Sequence, residues 1–293
     1  MSAPPSDPLS GLLETLDLTD TGARTSEDIF TGTTQWMPHG RVFGGQVLAQ
    51  ALVAAQRTIA PERHPHSMHG YFLRPGRLDL PITFSVDRIH DGRSFSTRRT
   101  QAYQGGQPIL SMIASFQTAD EGLEHQVDMP VGLPEPESLP SAAETLAGID
   151  HPVATNWATG RAFDMRHVPS PIYFSVEGEH VPHQAVWLKS LGPLPDDENL
   201  HRAALAYASD YSILEPIMRG HGVPWAMPGL KAASLDHAMW FHRFGRVDEW
   251  VLYVQESPSA GGGRGLSLGR IYSRAGVLLA SVAQEGMVRV PTR

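Results

Sequence analysis

The sequence predicts an α+β fold built as two tandem units, each a long helix wrapped by an antiparallel sheet. Three observations carry this. A module recurs: His69 pairs with His237, and Gln117 with Gln284, at an offset of about 168 residues, and self-similarity at a fixed offset marks a duplicated structural unit. Each copy holds one apolar helix-like stretch, Gly44 to Ala55 in the first and around Leu205 to Leu214 in the second. Alternating segments broken by glycine turns follow each helix, which is the pattern of an antiparallel sheet.

In chain order, residues 1 to about 25 are rich in Pro, Ser, Thr and Asp and read as a loose arm with one short helix, Leu9 to Leu16. A strand around Ile29 to Trp36 leads into a turn at Pro38-His39-Gly40. The first long helix is apolar on most of its circumference, with Gln46, Gln50 and Arg57 as its main polar stripe, so it is expected to be buried. Its many alanines let a sheet wrap closely around it. Strands are expected at Pro81–Val86, Ser94–Arg98 and Ile109–Phe116, with Asp91-Gly92 as a hairpin turn and Gly105-Gly106 as a joint. Residues 119–157 are acidic and carry Pro130, Pro134, Pro136 and Pro140. They read as a connection, with a helix at Ser141 to Leu146. The second copy opens with strands near Phe163–His167 and Ala185–Leu188. Its helix runs from about Leu200 and stops near Pro216, and its later strands are Trp250–Ser257, Leu266–Ser273 and Val277–Val288. The turns are Gly261-Gly262-Gly263 and Ala275-Gly276. The expected division is an N-terminal unit over 1–120, a Pro-rich acidic linker over 121–157 and a C-terminal unit over 158–293.

Composition narrows the function. The chain has 293 residues, enough for two cores of ordinary size. A net charge of −8 argues against a nucleic-acid binder, which shows a dominant basic face. The absence of cysteine excludes disulfides, thiolate nucleophiles and cysteine metal sites. The start, Met1-Ser2-Ala3-Pro4-Pro5, lacks the regions of a signal peptide, and no apolar run approaches the about 20 residues that span a bilayer. The end, Pro291-Thr292-Arg293, is not a peroxisomal address of the Ser-Lys-Leu kind. The expectation is a cytoplasmic protein with no membrane span.

Several motifs invite a chemical reading. Gly265-Leu266-Ser267-Leu268-Gly269 matches a nucleophile elbow, yet that motif needs a strand–turn–helix context and a histidine later in the chain. Here Ser267 falls in an alternating strand, and the last histidine, His242, precedes it. His64, His66 and His69 suggest a metal site, but a strand puts His69 on the face opposite the other two. His237 and His242 are likewise oddly spaced and read as packing residues. No phosphate loop or dinucleotide glycine pattern is present, and no metal or cofactor is expected. Asp210 is more informative. It lies on or beside a helix that should be buried, where a carboxylate is costly unless hydrogen-bonded or working. The first-copy helix, Gly44 to Arg57, holds no Asp or Glu. From local sequence alone, Asp210 is equally a cap for a segment starting at Tyr211 and a catalytic group. Gln284, closing an apolar strand, and Ser234, preceding Leu235-Asp236-His237, are not specific by themselves.

At these residues the sequence resembles the acyl-CoA thioesterase II family, whose fold is a double hotdog. The resemblance rests on Arg41-Val42-Phe43-Gly44-Gly45-Gln46, His69-Gly70-Tyr71-Phe72-Leu73-Arg74-Pro75-Gly76 and Asp91-Gly92-Arg93-Ser94-Phe95-Ser96-Thr97-Arg98 in the first half. In the second half it rests on Tyr207-Ala208-Ser209-Asp210, Asp236-His237-Ala238-Met239-Trp240-Phe241-His242 and Gln284-Glu285-Gly286. It implies a fold of two tandem hotdog units and a catalytic set of Asp210, Ser234 and Gln284 in the second. Ser234 stands where many members have threonine, which keeps the hydroxyl but loses a methyl and some stiffness. The first unit is then expected to supply structure and dimer surface. The implied reaction is hydrolysis of a fatty acyl-CoA by a water that Asp210 activates and Ser234 and Gln284 hold, with no covalent intermediate. The oxyanion is expected to meet fixed donors, including backbone N–H near a helix start. Arg93 and Arg264, with Arg98 and Arg270 beside them, are candidates for the coenzyme A phosphates. A further homo-oligomer is expected from the way related enzymes join their sheets. Two alternatives remain. One is a hotdog enoyl-CoA hydratase or dehydratase using the Asp236-His237 pair. The other is a non-catalytic acyl-CoA-binding protein.

Overall fold

In the computed structural model, which describes residues 7–24 and 27–291, the first half runs α1 (Pro8–Leu16), β1 (Thr19–Arg24), β2 (Asp28–Gly32), α2 (Gly44–Gln56), β3 (Arg63–Phe72), β4 (Ile82–Asp91), β5 (Phe95–Gln104) and β6 (Gln107–Thr118). A 3-10 turn (Pro136–Ser138), α3 (Ala142–Thr145) and α4 (Pro152–Thr159) occupy the connection. The second half runs β7 (Phe163–His167), β8 (His183–Ser190), α5 (Glu198–Ser209), α6 (Glu215–Gly220), β9 (Lys231–Ser234), β10 (Asp236–Phe241), β11 (Val251–Gly261), β12 (Arg264–Ser273) and β13 (Leu278–Arg289). The first six residues of the expected loose arm, with residues 25–26 and 292–293, lie outside the described chain.

The strands form one 13-stranded sheet in the order β1-β2-β4-β5-β6-β3-β10-β13-β12-β11-β8-β7, with β9 on β13. Read outward from the centre, β3-β6-β5-β4-β2-β1 is mirrored by β10-β13-β12-β11-β8-β7. In the first half the strand after the long helix, β3, is innermost, and in the second half β10, which follows the short β9, takes that place, giving the duplicated helix-plus-sheet arrangement that the sequence predicts. The halves join by antiparallel pairing of β3 with β10. At that seam Met68 stands opposite Met239, and both are fully buried. A two-fold relation between the halves makes these two methionines equivalent. The expected match of His69 with His237 therefore fails. His69 is exposed on the outer face, in an edge-to-face contact with Trp240 at 5.0 Å, whereas His237 is 1% exposed on the inner face. A strand alternates faces with period two, so an odd slip in alignment exchanges inside for outside.

Helix α2 is buried from Gly45 to Ala55. Its glutamines are not an outer stripe. Gln46 and Gln50 are both fully buried, and their amide NH2 groups donate to the Thr33 carbonyl at 2.8 and 2.9 Å. This also ends the expected Ile29–Trp36 strand early. A Cβ at Gly32 would lie 2.6 Å from Gln50 Nε2, and beyond Gly32 the backbone turns to the glutamines instead of β4. Helix α5 ends at Ser209, not near Pro216. Pro216 lies in the first turn of α6, where its missing N–H costs nothing. The short strand β9 and helix α4 were not expected from the pattern. Helices α2 and α5 approach at backbone contact, for a Cβ at Gly45 would meet the Tyr207 carbonyl at 2.3 Å.

Candidate active site

Asp210 is the C-cap of α5, in ordinary helical backbone. It does not N-cap a helix at Tyr211, because α6 begins only at Glu215. Its carboxylate collects donors from three other elements instead. Ser234 Oγ, at the end of β9, donates to Oδ1 at 3.1 Å. Gln284 Nε2, on β13, donates to Oδ1 at 3.0 Å and to Ser234 Oγ at 2.8 Å. The N–H of Gly45, in the first turn of α2, donates to the same carboxylate. The structure thus brings together all three residues of the expected catalytic set. Pairing of Ser234 with Gly286 holds β9 beside Gln284, so the register of one strand sets two of the three positions.

The glycine pair explains how a first-half helix reaches a second-half carboxylate. A Cβ at Gly44 would sit 2.6 Å from Asp210 Oδ2. The N-cap of α2, Phe43, offers no side-chain bond to the first turn. The end of α2 therefore presents N–H groups and partial positive charge toward Asp210. The first half thus contributes a backbone donor to the Asp210 carboxylate, beside the structure and dimer surface expected of it.

Burial pushes the Asp210 carboxyl up to about 6, more than the bonds from Gln284, Ser234 and Gly45 bring it down. That range suits a general base working near neutrality. Gln284 is 1% exposed, and its Oε1 accepts from His237 Nδ1. The other ring nitrogen, Nε2, lies 3.0 Å from Ser209 Oγ. Burial pushes His237 down to about 4, so the ring is neutral. Asp236 faces the other way, accepting from the Glu285 N–H at 2.8 Å. The Asp236-His237 dipeptide is thus not an acid–base pair.

Aromatic side chains flank the cluster. Phe43 stacks on Tyr211 with centroids 5.0 Å apart and meets Tyr207 edge-on at 5.1 Å. The Tyr207 hydroxyl donates to Gln35 Oε1 at 2.6 Å, and the Arg161 guanidinium lies over Tyr211 at 4.8 Å. Sequence reading missed this wall, although Phe43 precedes the glycine pair and Tyr211 follows Asp210.

The expected phosphate-binding arginines fare unequally. Arg98 is 1% exposed and tied to Asp91 Oδ1 and Thr58 Oγ1, both at 2.8 Å, so it locks a hairpin onto the end of α2. Arg93 belongs to that hairpin. The structure places it at the C-terminal end of α2, about 20 Å of helix from Gly44. Arg270 pairs with Glu256 at 3.5 Å. Arg264 opens β12 opposite Met287, one step from the Gly286 that pairs with Ser234, and forms an ion pair with Glu285 at 3.0 Å.

Ser267 lies in mid-strand in β12, opposite Gln284, with its buried hydroxyl unpartnered among the described residues. No histidine bonds it, so nothing activates it. His64 and His66 bond Asn199 Oδ1 and Ser115 Oγ at 3.0 and 2.8 Å. No group of three or more His, Asp or Glu that could hold a metal occurs among the described residues. A cavity of about 700 Å³, lined by Val168, Val181, Gln184, Arg219 and Val254 among others, lies away from the cluster. The guanidinium of Arg219 there is taken by Gln184 Oε1 and the carbonyls of Ser170 and Glu177, so it holds a loop rather than a ligand.

Residues 159–287 match the family model described as acyl-CoA thioesterase, and residues 33–117 match that of the acyl-CoA thioesterase N-terminal domain. Acyl-coenzyme A thioesterase 8 of Homo sapiens is 40% identical over 278 residues, covering 90% of this chain and 85% of that protein. Acyl-CoA thioesterase 2 of Haemophilus influenzae is 37% identical, covering 97% and 99%. A crystal structure of the acyl-CoA thioesterase II TesB2 from Mycobacterium marinum superposes with a TM-score of 0.76 at 42% identity, covering 96% of this chain and 98% of that one. The double hotdog is the fold of this chain.

Proposed function

This chain belongs to the acyl-CoA thioesterase family and is a thioester hydrolase, and on that premise we propose that it cleaves fatty acyl-CoA with Asp210, Ser234 and Gln284 acting on one water. The observation that carries the reading is the convergence of Ser234, Gln284 and Gly45 on a single half-buried carboxylate at a helix–helix junction. Asp210 accepts a proton as the water oxygen attacks the thioester carbonyl carbon. Ser234 and Gln284 hold that water. The oxyanion is met by N–H groups of the first turn of α2, placed so that their donors need no reorganisation as charge develops. The C–S bond then breaks and coenzyme A leaves as thiolate, since a thiol pKa near 8.5 makes a strong general acid unnecessary. The Phe43–Tyr211 stack borders the acyl group. Arg264 and the exposed Arg41, three residues before Gly44, meet the phosphates, and replacing either with alanine is expected to raise KM for acyl-CoA but not for a short thioester lacking the nucleotide.

The division into units over 1–120 and 158–293 with a linker over 121–157 belongs to the same proposal. So does a homo-oligomer. Tyr71, Ile113 and Trp240 are 64%, 46% and 38% exposed on the outer face of the central strands, which makes that face a candidate contact between copies. Sedimentation would test it. No helix among the described residues is long and apolar enough to cross a membrane. Cytoplasmic residence is proposed beside that finding, and a cysteine-free chain suits it without requiring it. Cell fractionation would check it. The central experiment is thiol release from acyl-CoAs of rising chain length, with Asp210→Asn beside the wild type. Turnover lost in the variant supports the assignment, and undiminished turnover refutes it.

A further inference from the structure

Gln284 works only in one orientation. Its side-chain amide has a donor end and an acceptor end of nearly equal size, and rotation by half a turn exchanges them. With NH2 toward Asp210 it donates to the carboxylate and to Ser234 Oγ. Flipped, it would aim a carbonyl at a carboxylate and remove a donor from the catalytic cluster. The Asp210 carboxylate, which only accepts, favours the first state, and a second constraint lies on the far side of the amide. Gln284 Oε1 faces His237 Nδ1, and His237 is 1% exposed with both ring nitrogens bonded. An Nδ1–H ring donates to Oε1 and holds the productive orientation. An Nε2–H ring offers a lone pair at Nδ1 and favours the flipped one.

The other ring nitrogen does not oppose this. Ser209 Oγ lies 3.0 Å from His237 Nε2 and donates to the Ala206 carbonyl at 2.9 Å, and a hydroxyl can turn to accept from or donate to Nε2. The acceptor-only Gln284 Oε1 is what calls for the ring proton on Nδ1. Ser209 immediately precedes Asp210 at the end of α5, so helix, ring and amide form a closed relay: Ser209 to His237 to Gln284 to Asp210. The ring is neutral, because burial outweighs the hydrogen bond to Gln284 and the pull of the adjacent Asp236 carboxylate.

We propose that His237 is a positioning residue for the hydrolysis, fixing the Gln284 amide with its donor toward Asp210. At 1% exposure it acts through Gln284. The proposal rests on the assignment of Asp210 as base and is tested so that the two can fail separately.

The experiment compares His237→Asn, His237→Gln and His237→Leu in the full chain, with Asp210→Asn as reference and thermal melting as a check on folding. The Asn amide nitrogen occupies the place of Nδ1 and still donates to Gln284, whereas the Gln amide reaches the place of Nε2, and Leu donates nothing. We expect His237→Asn to keep most of kcat. His237→Gln and His237→Leu should lose kcat by about 10- to 100-fold, the usual cost of removing a group that orients a working one, with KM little changed. The acid limb of their pH profiles should move to higher pH, because a flipped amide withdraws a donor from the Asp210 carboxylate. A merely structural role would leave that limb in place. Wild-type kcat and an unmoved limb in folded His237→Leu would overturn the proposal. So would equal loss in His237→Asn and His237→Leu, which would assign the chemistry to the ring itself. If Asp210→Asn retains full turnover, the base assignment falls first, whatever the histidine variants do.

Discussion

The raised pKa of Asp210 makes a paired prediction about activity and stability. The perturbation is Asp210→Asn, a near-isosteric copy of the protonated acid. An ordinary aspartate titrates near 3.8, and burial carries Asp210 to about 6. Between those values the folded state holds a proton that the unfolded chain has released, so stability falls as pH rises through this window. Below 3.8 Asp210 contributes no penalty, and above about 6 the penalty is complete. Its size follows from the gap, at most about 3 kcal/mol at neutral pH. Asparagine cannot ionise and escapes it. Asp210→Asn is therefore expected to melt about 5 °C higher than the wild type at pH 7, given the unfolding entropy of a chain this long, and to lose that advantage by pH 4. Activity moves oppositely. Wild-type kcat/KM should fall tenfold per pH unit below about 6, and the variant should lose about 10²- to 10⁴-fold at every pH. Thiol release between pH 4.5 and 8, with melting curves at the same pH values, measures both. An acid limb near 4, or a variant less stable than the wild type at pH 7, would refute the reasoning, because the carboxylate would then be neither buried at a cost nor poised near neutrality.

Three further outcomes are expected. Ser234→Ala should reduce kcat by about 10- to 100-fold, and Ser234→Thr should not, since only the hydroxyl donates to Asp210; steady-state kinetics on both variants tests this. Gly45→Ala would place a methyl 2.3 Å from the Tyr207 carbonyl, forcing α2 from α5 at a cost of about 1–3 kcal/mol; melting should show the loss, and kcat should fall with it. Glu215 is fully buried and accepts from His167, Gln184 and Trp225. Burial pushes its carboxyl up, but these partners hold it below the ordinary 4.5. Its contribution is thus full above 4.5 and lost as pH falls through the lower folded value. Glu215→Ala should cost about 3–5 kcal/mol by stranding its partners, and a urea titration at pH 7 showing no change would sink that account.

The parts of this molecule legible in the sequence are those set by local periodicity. The apolar run from Gly44, the Asp91-Gly92 hairpin and the Gly262-Gly263 turn, both of whose glycines have positive φ, are written in a few consecutive residues. Asp210 was legible as an anomaly, an acid on a buried helix. The geometry that makes it a proposed base was not, because the Gly45 N–H that reaches its carboxylate arrives from a helix more than 150 residues earlier in the chain. The mispairing of His69 with His237 has a similar cause. Residue likeness carries no register, and register decides which face a strand residue sees. Arg98 looked like a ligand for phosphate because its burial against Thr58 depends on the curl of a hairpin over α2.

The duplicated fold leaves one question of economy, namely why two matching units make one site. Helix ends answer it. The N-terminus of α2 has two glycines and no side-chain cap, so its N–H groups stay open to a carboxylate and an oxyanion. The N-terminus of α5 is closed by Asp197, which accepts from the N–H of Asn199 and Leu200 at 2.9 and 3.3 Å, and Glu198 adds negative charge in the first turn. The C-cap of α5 is Asp210, whereas that of α2 is Arg57, a cation paired with Asp17 at 2.9 Å. At one junction an open N-terminus meets Asp210, the proposed base. At the other a capped N-terminus meets Gln56, whose amide donates to the Asn199 carbonyl at 3.3 Å and cannot take a proton from water. On the proposed mechanism the second junction serves packing, and silencing Asp210 leaves no duplicate to carry the reaction.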